Sequence, residues 1–521
     1  MHLFYKVAGA FVCFAAVCAP AQNSAPRTQD SDASDSAHPD IIRLNQELQQ
    51  TRSQLADSLR QIEQLRKSVD ELRQQMLANQ NSSNHAGDTQ PATTPAFVNP
   101  APVNEAAVTT TSGEPTVAAA DQDPSFLASK ISEMHQDKVE SVSKYPVKIS
   151  GLVLFNSYWN NGYLDIQDLP NLAFAKFPGA PNPGVGATLR QTVLGVDATG
   201  PKVWGARSSA SAEVDFAGGS PGTSFGVATG LLRLRTAKVS LDWRATSVSI
   251  GQDNLFFSPL SPTSYATMLE PALSWSGNLW VWTPGIVATH RVALGSDSAL
   301  MLQGGVLDPL TEEAPPQQGR VSTAGEATRT PAVAGRIALD HSKAERLPFT
   351  IGFGAYRAKQ QYDLFPDVTG WTANTDIKVG FGKHLEISGE GYTGQAVGGL
   401  GGGIWTSVIF PETSEPHTSV HPLRSAGGWG QVKFMPASRF EINAAFGQDE
   451  NFGDSLRFFP ASFSSAGFFA MQKNRTELFN FIYKPSSVLL FAVEYRHLFT
   501  QQANAEGDSG DHLNLAAGVR F

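Results

Sequence analysis

Between Val147 and Phe521 the connections of the chain alternate strictly between short and long, and that alternation limits its fold more than any motif does. About sixteen segments read as strands: 147–157, 187–199, 203–216, 230–241, 245–252, 286–294, 299–307, 331–341, 348–358, 371–381, 384–396, 427–435, 438–448, 474–484, 487–498 and 511–521. Many carry a period-2 pattern, the signature of a strand with two unlike faces. Phe440, Ile442, Ala444 and Phe446 oppose Glu441 and Asn443, and Leu489, Phe491, Val493 and Tyr495 oppose Glu494 and Arg496. Segments 245–252 and 286–294 are ambiguous. Thr199–Lys202, Asp242–Arg244, Gly295–Ser298, His341–Leu347, Gly382–Lys383, Pro436–Ala437 and Pro485–Ser486 are short turns. Between them lie Gly/Pro/Ser-rich loops near 158–186, 217–229, 253–285, 308–330, 359–370, 397–426, 449–473 and 499–510. A sandwich has no reason to segregate loop lengths this way. A membrane-spanning barrel does, because its two rims face different compartments.

The expected fold class is therefore an all-β transmembrane barrel of about 16 antiparallel strands over 147–521, preceded by an N-terminal α-helical coiled coil. No segment has the roughly 18 consecutive apolar residues of a membrane helix. Aromatic residues gather where strands should cross the interfaces: Tyr158, Trp159, Trp204, Trp280, Trp282, Trp371, Trp405, Trp429, Tyr483 and Phe499. That suits the aromatic girdles of such barrels. The formal net charge of -9 argues against a nucleic-acid partner.

The first 146 residues divide by composition. Residues 1–21 read as a signal peptide, with Lys6, an apolar run Val7–Val17 and an Ala19-Pro20-Ala21 cleavage site. Both cysteines, Cys13 and Cys18, fall inside it, so the mature chain has no thiol chemistry or disulfide. Residues 22–40 are Ser/Asp/Ala-rich and read as disordered. Over 41–79, Ile41, Leu48, Leu55, Ile62, Val69 and Met76 recur every seven residues. Leu44, Leu65 and Leu72 stand three later, which is an a/d seam and predicts a coiled coil. Residues 80–125 form an Ala/Thr/Pro linker, and 126–146 a short amphipathic helix. An even strand number puts both ends of the barrel on the periplasmic side with the coiled coil.

A barrel this wide keeps an aqueous lumen, so inward polar side chains set what passes. Arg233 and Arg235 lie two apart and share a strand face; Arg190, Arg207, Arg291 and Arg336 lie on other strands. Together they form a candidate basic ladder for carboxylates or phosphates. The competing reading pairs each with a wall acid such as Glu213, Asp215, Glu386 or Glu390. Loop 253–285 is too apolar to stand in water, with Phe256, Phe257, Tyr265, Trp275, Trp280 and Trp282, and carries Asp253 and Glu270. It is expected to fold into the lumen as a constriction, or else to cover a subunit interface. Gly222–Gly226, Gly507–Gly510 and Gly398–Gly403 imitate hydrolase and phosphate-loop motifs without the strand–helix context those need. His417 and His421, with Glu412 and Glu415, read as solvated loop residues. No cofactor, metal site or catalytic set is expected.

The C-terminal strand, ending at Phe521, resembles the closing strand of bacterial outer-membrane barrels, where a terminal Phe is the assembly signal read by the barrel-assembly machinery. The order signal peptide, heptad helix, linker, Lys148-Ile-Ser-Gly151 and Arg233-Leu-Arg235 resembles the DcaP-like trimeric porins of Gram-negative bacteria, with Leu231–Phe257 the nearest stretch. The resemblance implies a homotrimer in outer-membrane lipid with a periplasmic N-terminal region, passing small anionic solutes such as dicarboxylates. The linker is longer here, and Asp253–Asn254 departs from that pattern. The expected function is passive diffusion of small hydrophilic solutes, with some preference for anions such as small organic acids. The alternative is a structural protein that tethers the membrane to the cell wall through its coiled coil.

Overall fold

The computed structural model describes residues 145–521, apart from 177–182, 220–229, 312–320, 343–346, 363–364, 411–418, 458–470 and 504. The expected signal peptide, coiled coil (Ile41 to Met76) and linker lie outside the described residues, as do nearly all of 126–146, Gly222–Gly226, Glu412, Glu415 and His417.

Sixteen antiparallel strands close on themselves. They are β1 Val147–Asn161, β2 Val193–Val203, β3 Ala206–Asp215, β4 Arg233–Asp242, β5 Thr246–Asn254, β6 Trp282–Ala293, β7 Ser298–Leu307 and β8 Ala332–His341. The second half is β9 Phe349–Gln360, β10 Val368–Phe381, β11 Leu385–Gln395, β12 Arg424–Ala437, β13 Phe440–Asn451, β14 Met471–Tyr483, β15 Leu489–Gln502 and β16 Gly507–Arg520. Each strand pairs with its sequence neighbours, and β1 pairs β16 from Leu152↔Arg520 to Asn161↔Asp511. Both ambiguous segments are strands.

Period-2 side-chain placement sorts the wall into two faces. On β15, Leu489, Phe491, Val493 and Tyr495 are exposed, while Leu490, Ala492, Glu494 and Arg496 are buried. Three expectations change. The last long loop shrinks to 503–506, because β15 and β16 stay paired beyond the apolar band as far as Gln501↔Gly507. Trp429 is buried inside rather than in an outer girdle, and Trp280 is half-buried against the Gly401 turn. The second strand comes in two pieces: Val185–Thr188 pairs the upper part of β1, β2 pairs its lower part, and 189–192 turns inward. The Leu154 backbone N–H then donates to Thr192 Oγ1 at 3.1 Å, and the Gln191 side chain is fully buried.

Closure is tight at the short-turn rim. Gly151 N–H donates to Phe521 O at 2.9 Å, and Phe521 N–H returns to Gly151 O at 3.0 Å. A Cβ on Gly151 would stand 2.7 Å from the Phe521 ring and 3.0 Å from the Val193 carbonyl oxygen. Gly151→Leu is expected to overpack this seam by about 1–3 kcal/mol. The check is the fraction of refolded, heat-modifiable barrel on cold electrophoresis, which should fall and recover in Gly151→Leu/Phe521→Ala.

Candidate functional site

The wall is not uniformly polar inside. Leu152, Leu154, Ile482, Leu490, Ala492 and Ala516 form an inward apolar patch, and Tyr265 and Met268 of the connection 255–281 pack on it. Further round, Ala272 and Leu273 pack with Trp429, Ala445 and Leu478. Leu255, Phe257 and Leu279 cluster with Leu307, Tyr356, Tyr392, Val397 and Leu400. The apolar composition of this connection thus has a partner: it lies inside the barrel, apolar side against apolar wall.

Burying loop backbone requires partners for its N–H and C=O groups, and the wall supplies them in sequence. Ser258 Oγ and Leu260 N–H donate to Glu390 at 2.5 and 2.7 Å. Thr263 N–H donates to Gln431 Oε1 at 2.7 Å, and Asn480 Nδ2 donates to Thr263 O at 2.8 Å. Asn156 Nδ2 reaches Tyr265 O at 2.9 Å. Gln191 closes a two-way bridge, donating to Ala266 O at 2.9 Å and accepting from Met268 N–H at 2.7 Å. Asn474 Nδ2 takes Trp275 O at 2.9 Å before the chain returns to β6. The connection thereby touches β11, β12, β14, β1 and the inward turn before β2 in sequence. Gly277, at φ +93, lies so close to Gly428 that a Cβ would sit 2.3 Å from its backbone nitrogen.

Two of the ladder arginines serve the same loop. Arg233 grips Asp215 in bidentate fashion at 3.1 and 2.7 Å and donates to Leu269 O at 2.5 Å. Arg235 pairs Glu213 at 2.6 Å and Asp215 at 3.3 Å, and donates to Met268 O. Both guanidinium groups lie over the Trp282 ring, 4.9 and 4.7 Å from its centroid. Arg190 forms a bidentate pair with Asp168 at 2.5 and 2.6 Å. The others stand apart. Arg336 is buried and bidentate to Asp376 at 2.8 and 2.6 Å. Arg291 faces Asp340 at 3.3 Å with its side chain 53% exposed. Arg207 is exposed near the short-turn rim, in register with Asp242. Asp253 lies in β5 rather than in the loop and pairs Lys238 at 2.5 Å.

Exposure shows where the lumen stays open. On the wall that the loop covers, the Glu494 and Arg496 side chains are each 2% exposed. On β3–β7 several inward side chains are far more accessible, 41% for Glu213 and 53% for Arg291, while Asp215 among them is buried. The free cross-section therefore follows β3–β7, past alternating acids and bases. A second set of charges, Lys378–Glu386–Lys433–Glu441–Lys484, links neighbouring strands β10–β13 and the turn after β14. Among the described residues no cluster of His, Cys, Asp or Glu could hold a metal ion. Gly398–Gly403 is a compact turn against 255–281 and the β7–β8 connection, where a Cβ on Gly399 would meet Leu310 O at 2.2 Å. Gly507–Gly510 lies in β16.

Sequence reading missed Asp168, Gln191 and Asn171 as anchors. Asp168 and Asn171 lie in the first long loop, where no periodicity marks a face, and Gln191 lies in a segment whose pattern reads as continuous strand. Gln431, Asn480 and Asn156 were findable as polar residues at inward parity.

The barrel matches the solved outer-membrane channel DcaP of Acinetobacter baumannii with a TM-score of 0.55 and 17% identity, covering 74% of this chain and 99% of that one. The chain has the fold of that DcaP channel. An anion-selective porin from Comamonas acidovorans is similar at a TM-score of 0.46 and 12% identity, over 73% of this chain and 100% of that one. OprB of Pseudomonas putida matches at 0.46 and 9%, over 76% and 97%. No family model and no curated protein matches the sequence.

Glu270 joins the loop 255–281 to the first long loop, accepting from Asn171 Nδ2; Asn171 and Leu172 N–H donate to Asp165 Oδ1 at 2.9 and 3.1 Å. Burial pushes Glu270 from 4.5 up to about 7 and Asp165 from 3.8 up to about 6. A carboxyl whose folded pKa is raised favours the docked state below its free pKa and loses that contribution as pH rises through the folded one. The loop–loop contact is thus expected to be tightest below pH 4.5 and to loosen as pH climbs through about 7. Hydrogen exchange over 265–273 should report that loss of protection in the native chain, and no such step in Glu270→Gln.

Proposed function

We propose that the protein is an outer-membrane porin, a passive diffusion channel for small hydrophilic solutes. The observation that carries this reading is the asymmetric lumen: a loop anchored against one wall, and accessible charged side chains along the other. A loop fixed by so many side-chain hydrogen bonds narrows the lumen without filling it, so size is selected by the remaining gap and charge by the groups along it.

The finer reading is a modest preference for anions such as small organic acids. It is supported by Arg190, Arg233 and Arg235 gathered beside the loop, with Arg291 and Arg207 further along the open wall and Arg336 behind them. Each guanidinium has five donors, and pairing with one carboxylate leaves some for a passing anion. Their carboxylate partners Asp168, Glu213, Asp215, Asp340 and Asp376 neutralise most of the field, which is why the preference is modest. Glu270 and Asp253 belong to this reading as constriction residues. A homotrimer, a periplasmic N-terminal coiled coil and recognition of Phe521 by the assembly machinery complete the proposal. The chain is not read as an enzyme.

Reversal potential in a salt gradient, measured on the refolded protein in planar bilayers, is the test. Asp215→Asn removes the acid shared by Arg233 and Arg235, and is expected to raise anion-over-cation permeability by roughly tenfold at low ionic strength, less as salt screens the site. Arg233→Gln/Arg235→Gln should shift it toward cations. Conductance that is present but indifferent to both changes would remove the arginines from the selectivity path; absence of conductance from folded barrel would remove the porin.

A further inference from the structure

The outer face of the barrel carries a charge asymmetry that transport does not use. Toward the long-loop rim, the strand pairs Arg357↔Trp371, Trp371↔Gln395 and Gln395↔Arg424 place four side chains in one row across β9–β12. Their positions alternate with buried inward residues, so the row faces out: Tyr356 and Ala358 flank Arg357 inside the wall, and Thr372 lies inside next to Trp371. Arg357 and Trp371 are exposed, the latter by 38%. Arg357 has no ion pair with a described residue. Lys359 stands two residues above it on the same face and pairs Asp367 at 3.2 Å. Arg424 meets Asp454 at 3.3 Å and lies over the Phe452 ring, 5.6 Å from its centroid. Lys473 and Arg475 of β14 continue the arc, paired with Glu450 at 3.2 Å and Glu477 at 3.9 Å. By contrast, the outward positions described on β3–β7 carry no Asp, Glu, Lys or Arg: they are Ser208, Ala210, Ala212, Val214, Leu234, Val239, Val248, Ile250, Ile286, Ala288 and similar residues.

Directly beside Arg424 lies a shallow, open depression on this face, bordered by Ala426, Gly427, Gly428, Gln448, Glu450 and Phe452. Below the row come small outward residues, Ala373, Thr393 and Gly391, and then the apolar band of Phe353, Ile377, Ile387 and Val432, all exposed to the hydrocarbon.

The geometry points to a binding site for a phosphorylated glycolipid of the outer leaflet on β9–β12. Its headgroup phosphates pair with Arg357 and Arg424, a sugar ring rests on Trp371 between them, and an acyl chain lies along the shallow depression beside Ala426. Three strand spacings separate the two arginines, about 14 Å, a span suited to a disaccharide with a phosphate at either end. Guanidinium groups bind phosphate in bidentate fashion, and a partly apolar setting strengthens the pair. The acids nearby do not forbid it. The Arg424–Asp454 pair is more than half exposed on both sides and holds little energy, so it yields to a better acceptor. Glu450 is already held by Lys473. Trp at this height is the residue a membrane interface favours.

The inference rests on the reading of the chain as an outer-membrane barrel with its long loops outside. Conductance is therefore measured on every variant, so that the two readings fail separately. Refolded full-length protein is transferred from vesicles of phosphatidylcholine with bisphosphorylated lipid A into detergent, and retained lipid is counted by native mass spectrometry. Lipid A should be retained, and its dephosphorylated form should not. Arg357→Gln and Arg424→Gln should each weaken retention about fivefold, and Ala426→Phe should weaken it with both cations in place. Conductance should be unchanged in all three. Equal retention of the dephosphorylated lipid, unaltered retention by the double arginine variant, or displacement of lipid A by equimolar inorganic phosphate would overturn the assignment. The last result would make the row a free-anion site.

Discussion

A polypeptide loop can lie inside a barrel only if its backbone polar groups find partners there, and that requirement organises this molecule. Connection 255–281 carries enough aromatic and aliphatic surface to leave water, yet each peptide group it buries costs on the order of 1–3 kcal/mol if left unpaired. The wall answers with side chains rather than strands. Glu390, Gln431, Asn480 and Asn156 on separate strands, and Gln191 in the inward turn before β2, meet successive loop groups. The inward leucines between them are the apolar half of the same bargain. Lumen polarity here is thus largely committed to holding a loop, and the β3–β7 side is the one the loop leaves open.

The charges follow from the same constraint. Guanidinium groups in a narrowed, partly dehydrated lumen are costly unless compensated. Arg233 and Arg235 accordingly share Asp215, which is fully buried, and each gives one further donor to the loop backbone. A pair two apart on one strand looks in sequence like a bare basic ladder, but in the fold it is a brace with a charged edge. Selectivity in such a lumen depends on small imbalances between paired groups rather than on an unopposed field.

What was legible in the sequence was whatever period-2 patterning encodes. β13 and β15 could be read from Phe440–Phe446 and Leu489–Arg496, because lipid on one side and polar lumen on the other leave unlike residues at alternate positions. The sixteen strands and their turns follow from that. What was hidden depends on contacts distant in sequence. The break before β2 was read as a continuous strand, because nothing near Gln191 shows that a loop 75 residues on will need its amide. Trp429 sits at inward parity and is covered by Leu273; its aromaticity alone suggested the outer girdle. The strands meeting at 503–506 extend beyond the apolar band, where Gly507–Gly510 composition resembles a loop. The basic residues of the ladder were found, but Asp168, the partner of Arg190, lies in a loop that no periodicity describes.

The anchoring pattern also sets an order of events. The loop belongs to the first half of the chain, but Asn480 and Arg496 come from the fourteenth and fifteenth strands, 217 and 232 residues from the groups they hold. Asn156, which takes the Tyr265 carbonyl, is itself tied to Asn514 in the final strand. The first two grips cannot form until the late strands have joined the sheet. The lumen on that side accordingly stays wide while the barrel forms, so the loop works as a latch that records the arrival of the last strands.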